Sequence, residues 1–223
     1  MNKDDSPFFE ITDNISVLVN PTFLFNNIQV DLSGNHLTLP EKQFVFFYTP
    51  TYKRIISFFI EYIKSKNIDN NCCLNFKQNL PCICNNSLNK LDILILSNNS
   101  NNKTCFDLEY FIACCRSDNI YCIIRAFNMF IHLLPHIYIH IPYLIPQEVF
   151  LKKSDIKPTL FINLSQFDTF KKLEDVCLSI KLVPTTNYEL LYILYTYIQD
   201  NSYLQNIIND LYKDDEELFK SII

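Results

Sequence analysis

Apolar residues recur every three or four positions through 106–134, with one polar interruption. Leu108, Phe111, Ile112 and Cys115 stand at i, i+3, i+4 and i+7, one face of a helix. Asp107 is placed to cap that helix, because a short carboxylate accepts from the unpaired N–H groups of a first turn. Ser117-Asp118-Asn119 breaks the run, since all three side chains compete for backbone hydrogen bonds. A second face follows at Ile120, Ile123, Ile124, Phe127, Ile131 and Leu134, and Pro135 is expected to end it. Two short helices joined by a polar corner must bury their apolar faces against something larger.

Toward the N-terminus the pattern changes to short β-type runs. Phe8–Ile11 and Ile15–Val19 flank the turn cluster Thr12-Asp13-Asn14 and read as a hairpin. Pro21–Ile28 predicts a short helix with proline in its first turn. Gly34 marks a turn, and Leu37–Leu39 a third strand. Phe44–Tyr48 is wholly apolar, a buried strand or the lead into a helix. The helix Thr51–Lys66 turns Ile55, Phe58, Phe59, Tyr62 and Ile63 inward, leaving Lys53, Arg54, Glu61, Lys64 and Lys66 for water.

Residues 67–104 form an insert rich in Asn and Cys. Within it, Leu91–Leu96 predicts a buried strand, and 97–103 an exposed polar loop. Pro135–Pro146 reads as a strand or an extended linker and holds the expected domain boundary. Beyond it, Phe167, Phe170, Leu173, Cys177 and Ile180 trace a helical stripe that Pro184 ends. Thr185-Thr186-Asn187 caps a further helix with Leu190, Leu191, Leu194 and Ile198 inward. Leu204, Ile207, Ile208 and Leu211 make a last stripe, continued by Leu218, Phe219 and Ile222.

Composition narrows the function classes. Of 223 residues 48% are hydrophobic, enough for a sizeable core. The excess of Asn, Ile, Lys, Tyr and Phe over the two alanines fits an AT-rich genome. Net charge is −5 and no basic cluster marks a nucleic-acid face, so nucleic acid is not an expected partner. The polar, acidic start is no secretory signal, and no apolar run reaches a membrane-spanning length. The nine cysteines are therefore read as free thiols in a reducing, intracellular compartment, cytoplasmic or nuclear. With one glycine, no phosphate-cradling loop or nucleophile elbow is available, and no catalytic constellation stands out; the chain reads as a non-enzyme.

The pattern Asp107-Leu108-x-x-x-Ile112-Ala113, then Asp118-Asn119-Ile120, Ile123-Ile124 and Ile131, resembles the paired helices near the end of the Skp1/BTB-POZ fold. Leu37-Thr38-Leu39-Pro40 is similar to the short strand that precedes a helix in Skp1, and Lys53–Tyr62 to that helix. The resemblance covers residues 8–134. The family's acidic loop and its C-terminal tryptophan are missing here. The resemblance implies an α+β fold: a small mixed β-sheet covered by helices over 8–135, followed by a helical C-terminal region, 144–223. It further implies a protein–protein interaction adaptor or scaffold subunit. Its partners would be a cullin-like ubiquitin-ligase scaffold, other subunits of a larger complex, or a second copy. The partner-facing positions it points to are Asp118, Asn119 and Tyr121.

Two metal readings stand beside this. Cys72-Cys73 with Cys82-x-Cys84 offers four thiolates, the soft set that zinc takes in a tetrahedron, although neither pair has the usual knuckle spacing. Ordinary free thiols are the alternative. His132, His136 and His140 recur every four residues, but Pro135 and Pro142 argue against the helix that would align them. Cys114 and Cys115 read as small apolar packing groups.

Overall fold

A computed structural model describes residues 8–12, 15–18, 28–31, 42–67, 90–96, 106–152, 154, 157–163, 170–173, 178–182 and 188–222. In chain order the strands are β1 (Phe8–Thr12), β2 (Ile15–Leu18), β3 (Ile28–Asp31), β4 (Gln43–Tyr48), β5 (Leu160–Asn163), β6 (Phe170–Leu173) and β7 (Leu178–Leu182). The helices are α1 (Thr51–Asn67), α2 (residues 90–96), α3 (Leu108–Cys115), α4 (Ile120–Ile137), α5 (Gln147–Lys152), α6 (Tyr188–Gln199), α7 (Ser202–Leu211) and α8 (Lys213–Ile222). Short 3₁₀ turns fill Tyr138–His140 and Pro142–Leu144. The class is α+β. The predicted helix Pro21–Ile28 lies outside the described residues except for Ile28, which opens β3, and the predicted strand Leu37–Leu39 lies outside them altogether.

The chain divides into two compact units that interleave along the sequence: 1–51, 146–185 and 214–223 in one, 52–145 and 186–213 in the other. The first holds both sheets. One has the order β1-β2-β4-β5, with an antiparallel β1–β2 hairpin and β4 parallel to both β2 and β5. Strand β4 reads as a continuous apolar run because Val45, Phe46 and Phe47 are all fully buried, as a parallel strand covered on both faces requires. Its even-numbered side packs Phe46 and Tyr48 with Leu18 and Phe219, flanked by Phe44, Leu151, Phe161 and Leu218. The Tyr48 and Phe219 rings stack at 5.0 Å. After β4 the buried Gln147 amide clamps the backbone: its Oε1 accepts from the Thr49 N–H at 3.2 Å and its Nε2 donates to the Thr49 carbonyl at 2.8 Å. Asp215, also buried, accepts from the Glu148 N–H in the first turn of α5. The second sheet has the order β3-β7-β6, antiparallel throughout.

The helical second unit has an aromatic core. Phe58 stacks on both Phe130 and Tyr143, and Phe59 on Phe130. Phe127 lies against Phe59, while Tyr62 stacks on Phe111. Arg54 is fully buried here rather than solvated as its place among the charged residues of α1 predicts. Its Nη1 donates to the Tyr143 carbonyl at 3.2 Å and to the Ile145 carbonyl at 2.6 Å. The Tyr212 hydroxyl donates to the carbonyl between them, Leu144, at 2.7 Å, and the Tyr212 ring lies 5.2 Å from the guanidinium. An irregular buried segment has no helix or sheet to satisfy its carbonyls, so these two side chains supply the donors.

Further expectations are corrected. Pro135 does not end the second central helix, which runs on to Ile137. An exposed proline near a C-terminus forfeits one backbone bond, and the Tyr138 N–H still reaches the Leu134 carbonyl. Ile120–His140 is consequently 21 residues long and, by length and composition, apolar enough to cross a membrane, contrary to the sequence estimate. Its inward face is Ala126, Phe127, Phe130, Ile131, Leu133, Leu134 and Ile137, packed within this unit. Residues 135–146 are helix and 3₁₀ turns, not a strand or linker.

The run Leu91–Leu96 is helical: Leu91 and Ile95 are buried one turn apart, and Ile93 between them is 64% exposed. The helical stripe expected at 167–180 is replaced by the hairpin β6–β7, so the C-terminal region is not wholly helical. Leu178, Ile180 and Leu182 alternate with polar residues, and that period-two signal wins over the looser three-residue spacing.

Removing the donors should show how much the 143–145 segment depends on them. In urea unfolding we expect Tyr212→Phe to cost about 1–2 kcal/mol and Arg54→Met about 3 kcal/mol, since the latter strands one buried and one part-buried carbonyl. Losses under about 0.5 kcal/mol would show that the carbonyls find other donors.

Candidate functional site

The α3–α4 corner is built by local hydrogen bonding. Asp107 caps α3 by accepting from the Tyr110 N–H at 2.9 Å. At the turn, the Ser117 hydroxyl accepts from the Asn119 N–H at 3.1 Å, and the Asn119 side chain caps α4 through the Tyr121 N–H at 2.9 Å. Arg116 Nε donates to the Lys66 carbonyl at 3.2 Å, which ties the corner to the end of α1. The interior side of the corner is Phe111, Cys114 and Cys115.

The positions pointed to by the family resemblance meet here. Asp118 and Asn119 are exposed, and Tyr121 is 78% exposed in the first turn of α4. Arg125, one turn beyond Tyr121, donates to the Tyr110 hydroxyl of α3 at 2.5 Å. That hydrogen bond holds the Arg125 guanidinium above its ordinary value. Sequence reasoning missed the Tyr110–Arg125 pair. The two residues are fifteen apart, and only the turn between the helices brings them together.

Behind the corner lies a polar cluster. The Tyr62 hydroxyl donates to Asp92 Oδ1 at 2.6 Å, and Lys66 pairs with the other oxygen of that carboxylate. The Lys66 ammonium sits 4.9 Å from the Tyr62 ring centre. Burial, reinforced by the hydrogen bond to Asp92, drives the Tyr62 phenol well above its usual range. Burial, then the neighbouring Cys114, pushes the Cys115 thiol up to about 12. A thiol held protonated is a poor nucleophile and metal ligand, in keeping with a packing role.

The histidines are carried on a helix after all, because α4 continues through Pro135; His132 and His136 lie on it and His140 on the following turn. All three are exposed, and the His132 ring stands 5.5 Å from that of Tyr203. Among the described residues no group of three or more His, Cys, Asp or Glu side chains is arranged to hold a metal ion. Cys72, Cys73, Cys82 and Cys84 lie outside the described residues.

No family model, curated protein or solved structure matches this chain.

Two measurements follow from this geometry. Asn119→Ala should cost about 1 kcal/mol of stability by removing the α4 cap, whereas Asp118→Ala should change it little. The second concerns pH. Because the Cys115 thiol is raised from 9.0 to about 12 on folding, its contribution is complete below pH 9 and drains away as pH rises toward 12. Unfolding free energy should fall over that window by about 1.4 kcal/mol per pH unit for each such group, and less steeply in Cys115→Ala. An unchanged slope in that variant would contradict the assignment.

Proposed function

We propose that this chain is a non-enzymatic interaction adaptor or scaffold subunit of the Skp1/BTB-like kind, gripping a partner protein through the α3–α4 corner. The observation that carries this reading is Tyr121. It is a large, mostly exposed aromatic at the first turn of a helix whose start is fixed by the Asn119 cap. Exposed tyrosines on rigid backbone, with arginine beside them, are the side chains that most often dominate binding energy. Arg125, anchored to Tyr110, supplies that second element.

The order of elements lends further support. A β1–β2 hairpin is joined by a strand parallel to β2 that leads directly into α1, with a two-helix corner downstream. The additional strand β5 and the β3-β7-β6 sheet depart from what the resemblance implies. The absent tryptophan speaks against the family's F-box clamp, leaving a cullin-like scaffold, another complex subunit or a second copy as the partner class.

Titration calorimetry against recombinant cullin N-terminal domains, with sedimentation to detect self-association, tests this directly. Tyr121→Ala should weaken the interaction by roughly 30-fold, the size of an aromatic hot spot, without moving the thermal unfolding midpoint. Neither cullin binding nor self-association, or binding indifferent to Tyr121, would overturn the proposal.

A further inference from the structure

Pro135 stands between two histidines on a helix that does not stop for it. Helix α4 runs unbroken from Ile120 to Ile137, so His132 and His136 lie four residues apart on one continuous stretch. Side chains at i and i+4 stand one above the other on the same helix face, with Cβ atoms about 5–6 Å apart. Burial identifies that face as the outer one. Leu133, Leu134 and Ile137 are buried, whereas His132, Pro135, His136 and Ile139 are exposed, at i, i+3, i+4 and i+7. The His132 ring has Tyr203 of α7 on one side, 5.5 Å away and inclined at 39°.

Two imidazoles at this spacing are the pair that a helix offers to zinc in the His-Glu-x-x-His arrangement. In His132-Leu133-Leu134-Pro135-His136 the place of that glutamate is taken by Leu133, 2% exposed. The pair therefore has the ligands without a general base, and its chemistry is to hold a cation rather than to activate water. Imidazole suits zinc, nickel and copper, whereas magnesium and calcium take oxygen ligands. Among the described residues no three such groups come together, so His140 is not a third ligand and water would complete the coordination. Along the chain no lysine or arginine stands between Ala126 and Leu151 to oppose a cation.

The position of the pair gives a cation something to do. Pro135 has no N–H to offer the Ile131 carbonyl, so the turn spanned by the two histidines is one helical hydrogen bond short. It is also the last turn before the 3₁₀ segments that lead to Ile145. A cation bridging residues 132 and 136 closes that turn through side chains. Only the folded helix holds both rings within reach, so binding adds to native stability.

We propose that His132 and His136 form a two-imidazole site for a divalent transition cation of the zinc or nickel class, which staples the proline-containing last turn of α4. The site does not depend on the function assigned to the α3–α4 corner.

Titration calorimetry of the untagged, reduced full chain with zinc, nickel and magnesium chlorides tests the proposal. A histidine-dependent equivalent is expected for zinc and nickel and none for magnesium. His132→Ala or His136→Ala should each weaken that binding about 10-fold or more, because a two-point chelate becomes a single contact, while His140→Ala stays within about twofold of the parent. His132→Gln and His136→Gln should lose it equally, which keeps the test sound should an alanine variant misfold. Zinc should also slow amide exchange of the 131–138 peptide, read by mass spectrometry, in the parent and not in His136→Gln. The proposal is overturned by absence of binding, or by zinc uptake that is the same in the His132 and His136 variants as in the parent, as ligation by cysteines alone would give. A loss in His140→Ala equal to theirs, or bound zinc that leaves exchange of the 131–138 peptide unchanged, would overturn it as well.

Discussion

Three successive backbone carbonyls, at Tyr143, Leu144 and Ile145, constrain the helical unit more than any other feature. They lie on a stretch too irregular to satisfy itself, beside the buried side chains of Ile141, Tyr143 and Leu144. Left bare, each buried carbonyl would cost about 1–3 kcal/mol. Arg54 takes the outer two and Tyr212 the middle one, so residues from α1 and from the end of α7 converge on one strip of backbone. The same geometry orients the aromatic core, because Tyr143 is held where its ring can stack on Phe58, which in turn stacks on Phe130. A buried arginine is held here by two carbonyls that accept from its Nη1 and by an aromatic ring against its flat face.

The β-containing unit solves a related problem by different means. Strand β4 is covered on both faces, and the chain must leave it without stranding backbone groups. The Gln147 side chain does this by acting as one more peptide unit, donating to and accepting from Thr49. Asp215 does the corresponding service for the first turn of α5. In both units, then, long-range side-chain-to-backbone bonds close what secondary structure leaves open.

What could be read from the sequence was whatever depended on near neighbours. The Asp107 cap, the Ser117–Asn119 turn and the inward face of α1 are set by residues within one or two turns, and each stands where local chemistry put it. The β1–β2 hairpin and the buried β4 were legible for the same reason. Arg54 was not, because its acceptors lie 89 and 91 residues away. Leu91–Leu96 misled because a short apolar run has no period; Asp92, bonded to Tyr62 and Lys66, marks the side of the helix that faces α1. At 170–182 two periods competed, and pairing with β3 at a distance of about 150 residues favoured the strand. The corner's exposed positions were named from a resemblance, whereas Arg125 and Tyr110 needed the fold to bring them together.

Both proposed sites rest on a helical unit rigid enough to present side chains in fixed places. Native-state hydrogen exchange at the Leu144 and Ile145 amides measures that rigidity at its most demanding point. These N–H groups bond only to Ile141 and Pro142 within short 3₁₀ turns, geometry that by itself protects little. If the three carbonyls are pinned as described, both amides should exchange as slowly as those in the middle of α4, through the same global opening. Exchange at the rate of an exposed loop, with α4 still protected, would contradict the account.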